Sequence, residues 1–314
     1  MFESIRRVLV TGGTGFIGKR LIRWLVDNKG VTVIALGRRP CAGAGIESII
    51  APELDLSAIS QALQGVSFDA VIHLAAAGVH PSDRDLRDLI SINTLLPAQI
   101  VQLAQDHGAR AVVIAGSSAE YLPPQGSEAL SENATLEYRK LYGASKAAGG
   151  LLALAAANQL CIPAANLRIF NAYGPGEAQH RLLPSLVTQL QRGQRAELSA
   201  GKQIRDFIHV DDVCSGLWKI TLALLDGRIT TGAFNLCTGE GHSVETFARN
   251  VADIMHVPQH LLAFGALPLR ADDTPYLVGD PSSLRAQAGW HPVLSFEHGL
   301  RDAVEQSRHS INVD

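Results

Sequence analysis

The chain has 314 residues, of which 46% are hydrophobic and 18% charged, with a formal net charge of −3. Such a composition rules against disorder, and the near-neutral balance offers no broad basic face for nucleic acid or an anionic membrane, leaving room only for a local basic pocket around a phosphorylated ligand. Cys41, Cys161, Cys214 and Cys237 are scattered without a CxxC pair, which argues against a disulfide framework or a zinc site and fits a reducing compartment. Met1 leads through a short charged segment directly into Val8-Leu9-Val10, with no room for a secretion signal. The most apolar helical stretch, Leu151 to Leu160, is interrupted by Asn158 and Gln159 and falls short of the ~20 residues a membrane span requires. A soluble, cytoplasmic protein is expected.

In chain order, β-branched runs at Val8–Thr11, Val31–Leu36, Ile46–Ile50, Ala70–Leu74, Ala111–Ala115 and Ala164–Phe170 read as strands. Helical patterns at Phe16–Asp27, Leu86–Gln105 and Tyr142–Leu160 separate them, and Pro97 should kink or loosen the second of these. Strand and helix alternating in this way predict an α/β fold, a Rossmann-type doubly wound parallel sheet with helices on both faces. After Asn171 the texture changes to Gly- and Pro-rich loops, a helix near Leu183–Arg192 and less regular segments to the C-terminus. The expected division is residues 1–172 for a dinucleotide-binding domain and 173–314 for a smaller substrate-binding domain, with about 205–237 returning to pack on the first.

Thr11-Gly12-Gly13-Thr14-Gly15-Phe16-Ile17-Gly18 follows the first predicted strand and opens a helix. Glycines there allow a tight turn and close approach of a pyrophosphate, and the helix N-terminus supplies free N–H groups, so Gly12, Gly15, Phe16, Ile17 and Gly18 are candidate cofactor contacts. Where NAD users carry an acidic residue after the second strand, this chain has Leu36-Gly37-Arg38-Arg39. A guanidinium can bind a 2′-phosphate, so Arg38, with Arg39 as second candidate, predicts NADP over NAD.

Tyr142 and Lys146 are spaced i, i+4 on a predicted helix and share one face. A free tyrosine has a pKa of about 10, and a neighbouring ammonium lowers it toward the range where a proton is exchanged at neutral pH. Gly116-Ser117-Ser118-Ala119-Glu120-Tyr121 follows the fifth predicted strand, at the edge where such sheets bind ligands. A serine hydroxyl there, with Ser118 the chosen candidate, would complete a Ser–Tyr–Lys set for hydride transfer at a carbinol carbon.

These motifs together resemble the extended short-chain dehydrogenase/reductase family, also called the NAD-dependent epimerase/dehydratase family. Further matches are His73-Leu74-Ala75-Ala76, Asn93, Leu167 through Gly176, and Arg205-Asp206-Phe207-Ile208-His209-Val210-Asp211-Asp212. The resemblance implies that Tyr142 exchanges the proton, Lys146 holds the nicotinamide ribose and polarises Tyr142, and Ser118 orients a sugar oxygen. It also implies that Asp55 and Leu56 lie beside the adenine, that Ala75 contacts the cofactor through its backbone, and that Asn171, Arg205 and Arg270 bind the diphosphate of a nucleotide-sugar substrate. His209 has no second ligand at zinc spacing, so no metal is expected.

Within the family, Gly116 through Tyr121, Val278-Gly279-Asp280-Pro281-Ser282 and Gly289-Trp290-His291-Pro292 are most similar to GDP-4-keto-6-deoxymannose reductase and related sugar 4-ketoreductases. Where several 4,6-dehydratases carry an Asp-Glu pair, Ala119 replaces the Asp and Glu120 alone remains, while Leu122 and Pro123 depart from the usual glycine after the tyrosine. The resulting expectation is NADPH-dependent reduction of a nucleotide-linked 4-keto-6-deoxyhexose by a homodimer. The alternatives are a 4-epimerase with retained NAD and a non-catalytic cofactor sensor.

Overall fold

Short apolar runs become a parallel sheet when helices cover both of its faces, and the first half of this chain supplies strands and covers in turn. The computed structural model describes residues 5–80, 82–269 and 273–311. Its elements begin β1 (Arg7–Thr11), α1 (Phe16–Lys29), β2 (Thr32–Gly37), β3 (Ile46–Ile50), α2 (Leu56–Ala62) and β4 (Ala70–His73). They continue with α3 (Leu86–Asp88), a π-helical stretch (Leu89–Leu95), α4 (Leu96–Asp106), β5 (Ala111–Ser117), α5 (Leu141–Leu160) and β6 (Ala164–Ile169). The second half holds β7 (Asn171–Tyr173), α6 (Leu182–Gln191), β8 (Ala196–Leu198), β9 (Ile204–Arg205), β10 (Phe207–His209), α7 (Val210–Leu225) and β11 (Gly232–Leu236). It ends with β12 (His242–Ser243), α8 (Val244–Met255), β13 (Leu262–Phe264), β14 (Tyr276–Leu277), α9 (Ser282–Ala288) and α10 (Phe296–Ile311).

The central sheet has seven strands in the order β11-β6-β5-β4-β1-β2-β3, every pairing parallel. Side-chain alternation divides its residues between two cores. Val8, Val10, Val33, Ile72 and Val113 face one way, against Leu21 and Leu25 of α1 and Val213 and Leu217 of α7. Leu9, Ile34, Val71, Val112 and Ile114 face the other, against Ile100 and Leu103 of α4 and Ala153 and Ala157 of α5. The strand order reverses between β1 and β4, which opens the crevice where doubly wound sheets bind ligands.

The loosening expected from Pro97 is present. Pro97 lies in the first turn of α4, where its missing N–H does no harm, and the preceding residues form π turns rather than α. Helix α5 lies hard against that stretch: a Cβ at Gly149 would come within 1.8 Å of the Asn93 carbonyl oxygen. The C-terminal part is more ordered than its sequence texture suggests, since α7, α8, α9 and α10 occupy much of the stretch read as irregular. Their short connections mask a helical period that is clear in α8, where Phe247, Ala248, Val251, Ala252 and Met255 are buried. These residues join Tyr173, Leu183, Leu186, Phe207, Phe296 and Leu300 in a separate core. No described helix is long and apolar enough to cross a membrane.

Asp206 ties the two halves together. Fully buried between β9 and β10, its carboxylate accepts from the Thr238 N–H at 2.9 Å, the Thr238 hydroxyl at 2.7 Å, the Gly239 N–H at 2.9 Å and the Gly279 N–H at 3.3 Å. Asp206→Ala strands these buried donors and is expected to lower stability by about 3 kcal/mol, read as a shift in the urea midpoint at unchanged slope.

Candidate functional site

At the end of β1 the backbone turns through Gly12 in the left-handed region, φ 70°. A side chain there would bring Cβ within 2.7 Å of the Ala75 nitrogen, and one at Gly18 within 2.2 Å of the Gly12 oxygen. The turn leads into α1, whose N-terminus carries no side-chain cap at Gly15 and no acidic residue in its first turn. The amides opening α1 at Phe16 and Ile17 are therefore left for an external anion, and the cradle fits a dinucleotide pyrophosphate. Beneath it the Ala75 N–H donates to Thr11 Oγ1 at 3.3 Å, so Ala75 is placed as the floor of the turn.

Arg38 and Arg39 are exposed just past β2, and neither pairs with an acidic group among the described residues. Asp55 and Leu56 are also exposed, but Asp55 caps α2, its carboxylate accepting the Ala58 N–H at 2.8 Å. One oxygen of the Asp55 carboxylate is thereby engaged with the helix.

The acid–base group is assembled where β5 meets α5. Tyr142 opens α5, and its hydroxyl shares a hydrogen bond with Ser117, the last residue of β5. Ser118, the serine singled out from sequence, is not the partner. It begins a turn, Ser118–Glu120, and is 7% exposed, whereas Ser117 and Ala119 alternate with it toward the open side. The orientation is fixed by a capping box: Ser117 Oγ accepts the Ala119 N–H at 3.1 Å while the Glu120 carboxylate accepts the Ser117 N–H at 2.8 Å. The Ser-x-x-Glu spacing is a sequence signature of such a box, but at a strand end it is overshadowed by the hydroxyls themselves.

Glu120 is wholly buried. Its other oxygen accepts Arg168 Nε at 2.9 Å and Asn166 Nδ2 at 2.8 Å, both from β6. Arg168 also donates to the Tyr121 hydroxyl at 2.9 Å and lies 4.7 Å over its ring, and Tyr121 in turn donates to Asn235 at 2.6 Å. Burial raises the Tyr121 hydroxyl to about 12 although Arg168 opposes the shift. This network, missed by sequence reasoning, supports the candidate catalytic serine from below.

Lys146 lies one turn beyond Tyr142 and is buried, donating to the Ala115 carbonyl at 2.6 Å. Burial lowers its pKa, with Glu120 opposing. The expected lowering of the Tyr142 pKa by Lys146 is not what the structure shows: burial raises it, and the opposing groups are the Ser117 hydrogen bond, Arg181 and Arg84. Arg84 lies 5.6 Å over the Tyr142 ring, a neighbour that the sequence reading missed because it arrives from a loop. His73, also buried, shares a 2.7 Å hydrogen bond with Thr11 and is pushed down to about 3 by burial and by Lys146, which keeps it neutral.

Of the substrate candidates, Asn171 is half-buried in β7 and donates to the Asp206 carbonyl at 3.4 Å. Arg205 donates to the Ile204 carbonyl at 2.8 Å and pairs with Asp273. Arg270 lies outside the described residues. His209, Asp211 and Asp302 converge, yet both Asp211 oxygens are taken by Arg20, at 2.5 and 2.7 Å, which makes the cluster an ion-pair joint between α1 and α7.

In the cofactor-free protein burial holds the Tyr142 hydroxyl above the ordinary tyrosine range. The phenolate absorbance step that Tyr142→Phe removes should accordingly lie at higher pH than that of a free tyrosine, and a step near pH 8 would show another charge balance at the site.

Residues 8–237 match the profile of the NAD-dependent epimerase/dehydratase family. The chain is 28% identical over 285 residues to GDP-6-deoxy-D-talose 4-dehydrogenase of Aggregatibacter actinomycetemcomitans, covering 88% of this chain and 90% of that one. It is 29% identical over 330 residues to dTDP-4-dehydro-6-deoxy-D-allose reductase of Streptomyces bikiniensis, covering 96% and 95%. Among solved structures, MoeE5 in complex with UDP-glucose and NAD superimposes with a TM-score of 0.84 at 30% identity, covering 97% of this chain and 99% of that one. The chain is an enzyme of nucleotide-sugar chemistry and belongs to the NAD-dependent epimerase/dehydratase family.

Proposed function

We propose that the protein reduces the 4-keto group of a 6-deoxyhexose linked to a nucleoside diphosphate, with NADPH as reductant and Tyr142 as general acid. The observation that carries this is the pairing of a neutral Tyr142 with Ser117 while Glu120, the carboxylate that Tyr142 feels, is held by Arg168 and Asn166. Reduction of a ketone needs a proton donor and an orienting hydroxyl; elimination of water needs an additional acid–base group. Ala119 faces the open side without one, and Glu120 is turned inward.

The glycine cradle would hold NADPH, which would supply the hydride. Ser117 orients the sugar carbonyl, and Tyr142 donates its proton to the oxygen as negative charge develops there. Lys146 holds the nicotinamide ribose and compensates the phenolate left behind. Gly12, Gly15, Phe16, Ile17, Gly18 and Ala75 hold the pyrophosphate side, Leu56 lies near the adenine, and Arg38 binds the 2′-phosphate. Asn171, Arg205 and Arg270 hold the substrate diphosphate, which requires Arg205 to exchange Asp273 for a phosphate. Residues 1–172 form the cofactor-binding domain and 173–314 the substrate-binding domain, with about 205–237 returning to pack on the first. Chemistry that draws on reduced nicotinamide fits a cytoplasmic enzyme.

The dTDP-linked 4-keto reductase at 29% identity supports this reading. The UDP-glucose and NAD bound to MoeE5 favour a second one, a 4-epimerase that oxidises and re-reduces the C4 alcohol of a nucleotide-linked sugar on a retained cofactor. Loss of reduced-nicotinamide absorbance with a panel of GDP-, dTDP-, CDP- and UDP-linked 4-keto-6-deoxyhexoses separates them: the reductase consumes NADPH with one member, the epimerase interconverts nucleotide-linked 4-hydroxy sugars with no added cofactor. Tyr142→Phe should lower kcat about 1,000-fold while leaving cofactor affinity within about twofold, and Ser117→Ala should cost about 100-fold against less than about tenfold for Ser118→Ala. Reversal of the two serines would return the role to Ser118.

A homodimer completes the proposal. Leu86, Ile90 and Leu95 from one helical layer and Leu141, Leu151 and Leu152 from the adjoining α5 leave large apolar side chains exposed. Light scattering should give a dimer for the wild type and a monomer for the double variant Leu151→Glu, Leu152→Glu.

A further inference from the structure

A cavity of about 480 Å³ opens on the outer side of the glycine turn, bounded by Gly13 and Thr14, by Lys19, Arg20 and Arg23 of α1, and by Pro40, Cys41 and Ala42 beyond β2. Its described lining contains three cations and no acidic side chain. Arg20 is already engaged, both its contacts going to Asp211. Lys19 and Arg23 are exposed and make no ion pair with a described acidic residue. Their i, i+4 spacing places both on the face of α1 that looks toward the segment after β2.

Cys41 closes the floor: its sulfur lies 3.3 Å from where a Cβ on Gly13 would be, and Lys19 acts on its thiol electrostatically, which puts the ammonium near that floor. Burial of Cys41 raises its pKa, so the thiol stays neutral and contributes no competing negative charge at neutral pH. The cavity lies between the turn and Pro40–Ala42, the segment that directly follows the exposed pair Arg38 and Arg39 after β2, on the side where a dinucleotide fold places the adenosine ribose.

We propose that Lys19, from the second turn of α1, forms the opposite wall of a subsite whose other side is Arg38, and that the pair clamps the 2′-phosphate of NADPH. The proposal rests on the NADPH reading and adds to it a residue outside the strand-end position where cofactor choice is ordinarily read. Arg38 offers a planar fork and Lys19 a compact point charge, so a phosphate dianion between them is met from two directions. A bare 2′-hydroxyl gains nothing from either cation. Arg23, one turn further along α1, lines the same cavity and adds to its field.

The experiment is calorimetric and uses no turnover: the full-length protein is titrated with adenosine 2′,5′-bisphosphate and, separately, with 5′-AMP. Wild type should bind the bisphosphate at least about tenfold more tightly, an advantage that shrinks as ionic strength rises. Lys19→Ala and Lys19→Glu should each remove most of that preference, as should Arg38→Ala. Thermal melts of both Lys19 variants within about 2 °C of wild type exclude a folding defect, since the side chain is exposed on a helix surface. A wild-type preference that survives in both Lys19 variants but is lost in Arg38→Ala would overturn the role of Lys19 and leave the NADPH reading standing. Equal binding of the two ligands by wild type would overturn both.

Discussion

The carboxylate of Glu120, buried between the ends of β5 and β6, is the constraint on which the candidate site depends. One oxygen receives Arg168 and Asn166 and the other receives the Ser117 amide. A charge taken this far from water persists only when its partners are in place, and removal of either member of such a pair typically costs about 3–5 kcal/mol. The consequence is directional as much as energetic. Because Glu120 holds the Ser117 N–H, the chain leaves β5 in a tight turn, Ser118 is carried inward and the Ser117 hydroxyl is presented to Tyr142. The same contact withdraws the only glutamate of that motif from acid–base chemistry. A residue that reads as a remnant of dehydratase machinery is thereby the support for the Ser117–Tyr142 pair.

A second set of buried ionic groups links the sheet to the C-terminal part. Asp206 gathers donors from Thr238, Gly239 and Gly279, and Asp212 accepts the Val293 and Leu294 amides at 2.8 and 3.1 Å. Arg20 on α1 binds Asp211 at the start of α7. The helix that begins at the glycine cradle is thus joined to the segment that returns to the sheet. Arg205, immediately before Asp206, is held near this joint and pairs with Asp273. Neighbouring residues of one contiguous motif thus take different partners, Asp206 the buried donors and Arg205 the Asp273 carboxylate.

Much of the architecture was legible because it follows from periodicity and local chemistry. The strands at β1, β3 and β4 and helices α1 and α5 stand within a few residues of their expected limits, and the loosening before Pro97 has its physical cause in the proline itself. Less was legible at the site, for reasons of position in space. The choice between adjacent serines depends on which way a turn rotates, and that turn is set by Arg168, which lies far along the chain on β6. Asp55 also caps α2, a role that its position before Leu56–Ala62 could have suggested. Arg84 and Arg181 reach Tyr142 from loops, and the charge balance around that hydroxyl differs from the simple Tyr–Lys pair for that reason.

The central claim is that Tyr142 and Ser117 serve net reduction of a sugar ketone, and the fate of a labelled hydride tests it most directly. The protein would be incubated with NADPH carrying deuterium at the transferable position and with the nucleotide-linked 4-keto-6-deoxyhexose panel, and the sugar product examined by mass spectrometry and NMR. The account predicts one equivalent of deuterium fixed at C4 of the product, with one NADPH consumed for each ketone reduced. No reaction with any 4-keto compound, together with interconversion of nucleotide-linked 4-hydroxy sugars in a parallel incubation with no label taken up from solution, would contradict it.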